Sequence, residues 1–206
     1  MMILVAIAVS YLLGSIPTAV WVGRRFYGVD VRTQGSGNAG ATNTIRVLGL
    51  KAGVPVLLID VLKGLAAVLL VDPITNLPHD APIRAYTLLA ASIAVVLGHT
   101  FPVLAGFKGG KGVATLLGVG FGLFPQAALV ALLIFIVVFS TTRYVSMGSL
   151  TAGIAFPFLV FFIFPANHWI FYALAVAVAI FLPLTHRKNI GRLIQGKENK
   201  ISFKKK

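Results

Sequence analysis

Residues 106–115 read GFKGGKGVAT, four glycines and two lysines in ten positions, set between two long apolar runs. Glycine backbone tolerates positive φ and lets successive N–H groups close on one anion, and lysine adds a mobile positive charge. Gly106, Lys108, Gly109, Gly110, Lys111 and Gly112 therefore make a candidate phosphate cradle. It is not a Walker loop, because Gly112 follows Lys111 where a serine or threonine would be needed to hold magnesium. Taken alone, the stretch reads equally well as a solvated basic turn between two membrane helices, so the residues around it decide.

Residues 35–40, GSGNAG, have the spacing of a dinucleotide fingerprint. That fingerprint has meaning only inside a βαβ unit, which a chain this apolar has nowhere to put. We read residues 35–44 instead as an irregular small-residue segment in which Ser36, Asn38, Thr42 and Asn43 offer hydroxyl and amide groups, followed by a short helix carrying Arg46. Those groups beside an arginine suit a phosphorylated or hydroxylated ligand. An interfacial loop without chemistry is the plainer alternative. Asp60 and Lys63 lie three apart, on one helical face inside an apolar run. Ionisable groups there cost about 2.5–3.5 kcal/mol each on insertion unless paired or facing water, so a structural ion pair is expected, the alternative being that Asp60 orients Arg46 or Lys63 at the edge of a site.

His99 and His186 end apolar runs. A single histidine at a helix end is more often a cap or a packed polar group than a catalyst, but His186 is followed by Arg187, Lys188 and Asn189, which strengthens its candidacy. His79 and His168 read as incidental. No set of histidines and carboxylates suits a catalytic metal, and there is no Gly-x-Ser-x-Gly elbow. Nor is any histidine followed five positions later by aspartate, the dyad of soluble-headed glycerolipid acyltransferases; those positions hold Arg84, Leu104, Ala173 and Gly191.

The elements that must carry these residues are membrane helices. Of the 206 residues 58% are hydrophobic and 11% charged, and the mean hydropathy of +0.93 leaves too little polar surface for a soluble globule. The chain opens with an apolar run free of lysine and arginine, expected to be kept as a first span. It contains no cysteine, which excludes disulfides, a thiol nucleophile and thiolate metal sites. Apolar runs at about residues 3–22, 54–71, 85–104, 113–124, 127–139, 150–164 and 169–184 predict an all-α polytopic bundle of about seven spans, or of five or six, the short fourth and fifth runs reading also as one broken or re-entrant hairpin. Arg24, Arg25, Arg32, Arg46, Lys51, Lys108, Lys111, Arg143 and the basic tail over residues 187–206 alternate onto one side, with Arg84 opposite. By the positive-inside rule the crowded side is cytoplasmic, which puts the N-terminus outside and the C-terminus inside. Orientation thus accounts for the net charge of +13 without nucleic acid. We expect one membrane domain over residues 1–206, without cofactor and monomeric.

Five stretches in order, GSIPTA, GSGNAGATNTIRVLG, DVLKG, GHTFPVLAGFKGGKGVAT and HRKNIGRLIQGKEN, resemble the bacterial integral membrane acyl-phosphate:glycerol-3-phosphate acyltransferases over nearly the whole chain. The resemblance implies transfer of a fatty acyl group from acyl phosphate to the 1-hydroxyl of sn-glycerol 3-phosphate, giving lysophosphatidic acid and phosphate in phospholipid synthesis, by a seven-helix protein of the bacterial inner membrane with its site open to the cytosol. On this resemblance residues 106–112 match the glycerol-phosphate-binding motif, and Ser36 and Arg46 match positions needed for activity. His186 and Asn189 match a catalytic pair, Glu198 an acidic structural residue, and Ser149, or Ser146 in its place, a phosphate ligand. The expectation is that these groups gather in one pocket at the inner leaflet. Either the substrate's own phosphate or His186 would take the hydroxyl proton. A transporter or channel for a phosphorylated anion is the main rival, but it needs a cationic path across the membrane, and the outer side offers only Arg84. A scaffold held on anionic lipid by its basic tail would leave the other clusters unexplained.

Overall fold

The computed structural model describes residues 1–201; Lys204, Lys205 and Lys206 of the expected basic tail lie outside the described residues. All regular structure among the described residues is helical. The chain divides into two compact units, Met1–Leu123 and Phe124–Lys206.

In the first unit α1 (Met2–Ser15) runs apolar until Pro17, which forces Ile16 into extended backbone and splits what the sequence reads as one span. The chain resumes as α2 (Thr18–Tyr27), whose last turn carries Arg24 and Arg25 beside exposed Trp21 and Phe26, a composition suited to a membrane–water boundary. A 3₁₀ turn (Val31–Thr33) leads to α3 (Ala41–Leu48), which starts earlier than the sequence suggested. The amides of Asn43 and Thr44 both donate to the Gly40 carbonyl, so Thr42 and Asn43 join the helix that carries Arg46. Gly49 turns the chain into α4 (Leu50–Leu69), long enough at about 30 Å to cross a bilayer. A short α5 (Val71–Thr75) and α6 (Pro82–Thr100) follow, and Arg84 grips Asp72 through two bonds of 2.7 Å. After the glycine-rich loop comes α7 (Val113–Leu123).

Glycines set the helix spacing in this unit. A Cβ on Gly14 or Gly98 would overlap the backbone of α6 or α1, and one on Gly64 or Gly118 would overlap the backbone of α7 or α4. Both helix pairs are therefore packed backbone to backbone, the arrangement that small residues permit where lipid removes the hydrophobic drive for association.

The second unit comprises α8 (Pro125–Thr142), α9 (Val145–Phe158), α10 (Trp169–Thr185) and α11 (Arg187–Ile194). α9 relaxes after Pro157 into a π turn, Leu159–Ile163. Phe124 seals one end of the unit, meeting Phe156 and Phe171 edge-on at centroid distances of 5.5 and 5.9 Å. His168 caps α10 by accepting the Ile170 amide, and α10 and α11 meet at His186 with a bend of 62°.

Among the described residues five stretches are long and apolar enough to cross a membrane: Met2–Tyr27, Leu50–Thr75, Pro82–Ala105, Pro125–Thr142 and Val145–Ile163. The bent pair at His186 brings the count to six if α10 and α11 together form one span. α7, with 11 residues, extends about 17 Å, well short of a hydrocarbon core of about 30 Å, in line with the short fourth run read from the sequence.

Candidate functional site

The glycine-rich loop is built onto the end of α6. The N–H groups of Gly109 and Gly110 donate to the carbonyls of Thr100 and His99, at 3.2 and 3.1 Å, satisfying C-terminal carbonyls of the helix. These two amides are thus engaged in holding the loop, and the notion that every glycine N–H converges on an anion does not extend to them. Phe107 stands at φ +60°, unusual for a bulky residue, and is held there by its N–H on Pro102 O at 2.8 Å. Gly112 has φ +82°, which favours glycine, and its carbonyl accepts the first bond of α7 from Leu116 at 2.7 Å. Lys111, partly buried, therefore sits at the very opening of α7, where the helix dipole and the first-turn amides favour an anion. Lys108 is exposed.

The segment at residues 30–46 is organised by two side chains. Asn43, buried to 1% exposure, accepts the Ser36 amide at 2.8 Å and donates to the carbonyls of Val31 and Gln34 at 2.7 and 3.1 Å. Read from the sequence as a substrate contact, it instead has its amide committed to the loop that presents Ser36. Ser36 itself is exposed, Asn38, Thr42 and Arg46 are partly buried, and Arg46 lies in the last turn of α3. Asp30 takes bonds from Arg32 and Arg24, 2.8 Å each at the closest. The Arg32 guanidinium is the main reason its carboxyl sits well below the usual carboxylate range, helped by the Arg32 amide and Arg24 against the opposing effect of burial. Arg32 also donates to Ala105 O at 2.8 Å, joining this segment to the chain just ahead of the glycines.

Behind both loops lies a buried charge cluster. Asp60 Oδ1 is 2.8 Å from Lys63 Nζ, accepts from Thr18 Oγ1 at 3.2 Å and lies 3.7 Å from His99 Nδ1. Lys63 Nζ also donates to Ile16 O at 3.2 Å, a carbonyl at the Pro17 break. The ion pair expected from the spacing is present, and it is more than a pair. A cavity of about 10 Å³ bounded by Pro17, Thr18, Ala39, Asp60, His99 and Gly109 brings parts of four of the quoted stretches to one place.

In the second unit Glu198 collects three donors. Its Oε1 accepts from Ser146 Oγ at 2.9 Å and from Asn189 Nδ2, and its Oε2 accepts from Arg192 Nε at 2.6 Å. Burial pushes this carboxyl up, but hydrogen bonds from Arg192, Asn189 and Ser146 outweigh it and hold the group below the usual glutamate range. Ser149 donates to Val145 O at 2.9 Å, one turn back on α9. His186, 3% exposed, directs Nδ1 at Leu182 O over 2.9 Å. A carbonyl can only accept, so Nδ1 is assigned as the donor of this bond. The sequence did not single out Arg32, His99 or Arg192 as site residues; in the first unit Arg32 and His99 join the glycine loop and the Asp60 cluster to neighbouring elements, and in the second Arg192 holds Glu198. Among the described residues no group of three or more histidines, cysteines or carboxylates could hold a metal ion.

A sequence model of the family described as glycerol-3-phosphate acyltransferase matches residues 4–196. Curated relatives of that name include one from Fusobacterium nucleatum, 44% identical over 96% of this chain and 97% of its own, and one from Chlorobium phaeobacteroides, 42% identical over 98% and 97%. Among solved structures the chain is similar to the integral membrane glycerol 3-phosphate acyltransferase PlsY in its glycerol 3-phosphate form, with TM-score 0.85 and 40% identity over 97% of this chain and 96% of that one. The lysophosphatidic acid form of PlsY gives TM-score 0.82 and 39% identity, over 98% and 96%.

Proposed function

We propose, from the premise that the chain belongs to the glycerol-3-phosphate acyltransferase family, that this multi-pass membrane enzyme draws its acyl group from acyl phosphate and acts at the cytosolic face of a bacterial inner membrane as a monomer. PlsY is described with glycerol 3-phosphate and with lysophosphatidic acid, the acceptor and the product of such a transfer, and we carry both over to this chain. The observation that carries the reading is the glycine loop: Lys111 and Gly112 stand at the opening turn of α7 on a loop tied down to α6, a ready receptor for a phosphate monoester.

In the reaction the 1-hydroxyl oxygen of glycerol 3-phosphate attacks the acyl carbonyl carbon. The new ester C–O bond forms, the bond from that carbon to the phosphate oxygen breaks, and phosphate leaves. Acyl phosphate is already activated, so no protein nucleophile is required. We assign acceptor binding to residues 106–112 with Ser36, Asn38, Thr42 and Arg46, with Asn43 supporting Ser36 from behind. Asp60 and Lys63 serve as structure. His186 and Asn189 are the proposed catalytic pair, Ser149, or Ser146 in its place, the proposed ligand of phosphate, and Glu198 the residue that orients Asn189 and Ser146. Two acceptors are competent for the hydroxyl proton: the substrate's phosphate, with a second pKa near 6, and His186. His186→Gln measured at saturating substrates separates them. A loss of about 10²–10⁴-fold in turnover assigns the proton to the histidine, and near-normal turnover excludes it as an essential base.

The donor is tested by offering acyl phosphate, acyl-CoA and acyl carrier protein side by side to the purified protein with glycerol 3-phosphate. Lysophosphatidic acid from acyl phosphate alone is the expected result, and transfer from either thioester at a comparable rate would overturn the donor assignment.

A further inference from the structure

The Asp60–Lys63 ion pair lies within α4 and is buried, and the fourth member of its cluster, His99, packs against the glycine loop. A Cβ built on Gly110 would overlap Nε2, Cε1 and Cδ2 of His99, so the imidazole lies directly against the Gly110 backbone. The same residue holds the loop a second way, its carbonyl accepting the Gly110 amide at 3.1 Å. A Cβ on Gly109 would likewise overlap the His99 carbonyl and the Pro102 ring. On its other side the ring faces Asp60 Oδ1 at 3.7 Å, and Asp60 is fixed by Lys63 and Thr18. Side-chain exposures of 2% for Asp60, 5% for Lys63 and 6% for His99 leave none of them room to swing. The adjoining cavity of about 10 Å³ is of the size of one water.

We propose that His99, braced by Asp60, is a positioning residue that sets the path of Gly109 and Gly110 and thereby the place at which Lys111 and the first turn of α7 meet the phosphate of the acceptor. This rests on the reading that residues 106–112 bind glycerol 3-phosphate. Lys111 follows Gly110 directly, so any displacement of Gly110 is passed to the ammonium and to the opening amides of α7. Misplacement of about 1 Å at a binding group is enough to lower affinity substantially.

The test compares full-length wild type with His99→Ala, His99→Asn, Gly110→Ala and the double variant His99→Ala with Gly110→Ala, all in detergent. Glycerol 3-phosphate binding is read by titration calorimetry without donor, kcat and KM from turnover of acyl phosphate, and stability from thermal unfolding. His99→Ala and Gly110→Ala should each weaken acceptor binding about tenfold or more, with kcat at saturation within about threefold and KM for acyl phosphate unchanged. Removing the ring makes room for the added methyl, so the double variant should bind the acceptor no worse than Gly110→Ala alone. Asparagine can face Asp60 as Nδ1 does but cannot reach Gly110, so His99→Asn should recover stability without recovering affinity. The proposal is overturned if the two single effects multiply in the double variant, if His99→Asn recovers affinity together with stability, or if kcat falls while acceptor binding is untouched. Wild type that binds no glycerol 3-phosphate would sink the function reading itself, before any variant is compared.

Discussion

At Lys111 an ammonium stands at the mouth of α7, and a charge-assisted contact with a phosphate accounts for about 1.5–3 kcal/mol. Lys111→Met should therefore raise KM for glycerol 3-phosphate by roughly 10–150-fold and leave KM for the acyl donor near its wild-type value. An equal rise in both constants would place Lys111 elsewhere in the mechanism. Part of this scale was legible in the chain: the interval between Asp60 and Lys63 announced an ion pair, and the pair is present. The connections from His99 to Asp60 and from Arg32 to Ala105 were not, because they join residues 39 and 73 positions apart and depend on how α4, α6 and the loops pack. Asn43 looked like one more outward hydrogen-bonding group; only the turn of backbone around it reveals that its donors and acceptor are already committed.

Between elements, the α4–α7 contact is set by Gly64 and Gly118, each facing backbone of the other helix. Gly118→Ala must drive its methyl into the Val61 carbonyl, and overpacking of this kind costs about 1–3 kcal/mol. The expected outcome is a lower unfolding temperature in detergent with weakened acceptor binding, since α7 begins at the proposed phosphate receptor. In the second unit the Glu198 clamp gives a pH dependence. A carboxyl whose folded pKa is depressed contributes its full stability above its unfolded pKa and loses it as pH falls through the folded value. Docking of residues 196–201 should thus hold at neutral pH and weaken in acid below the ordinary glutamate value of 4.5. Glu198→Gln should lower stability at neutral pH and flatten that acid dependence, as seen in thermal unfolding across pH. Helix boundaries were less readable: the sequence carries one run over residues 3–22, which Pro17 breaks into α1 and α2, and the early start of α3 at Ala41 follows from the Gly40 carbonyl collecting two amides.

For the whole molecule, the hydropathy pattern announced an all-helical membrane protein, and helices of suitable length are present for five or six spans. Sidedness was argued from lysine and arginine alone. The absence of cysteine makes the chain its own background for labelling. Asn199→Cys should react with an impermeant thiol reagent only from the cytoplasmic side, and Asn76→Cys only from outside; the reverse pattern would invert the proposed orientation. The most direct test of the account is the stoichiometry of phosphate release from acyl phosphate by the purified protein. Phosphate should appear one for one with lysophosphatidic acid and only when glycerol 3-phosphate is supplied, whereas release at the same rate without the acceptor, or none with it, would contradict a direct transfer between two phosphorylated substrates.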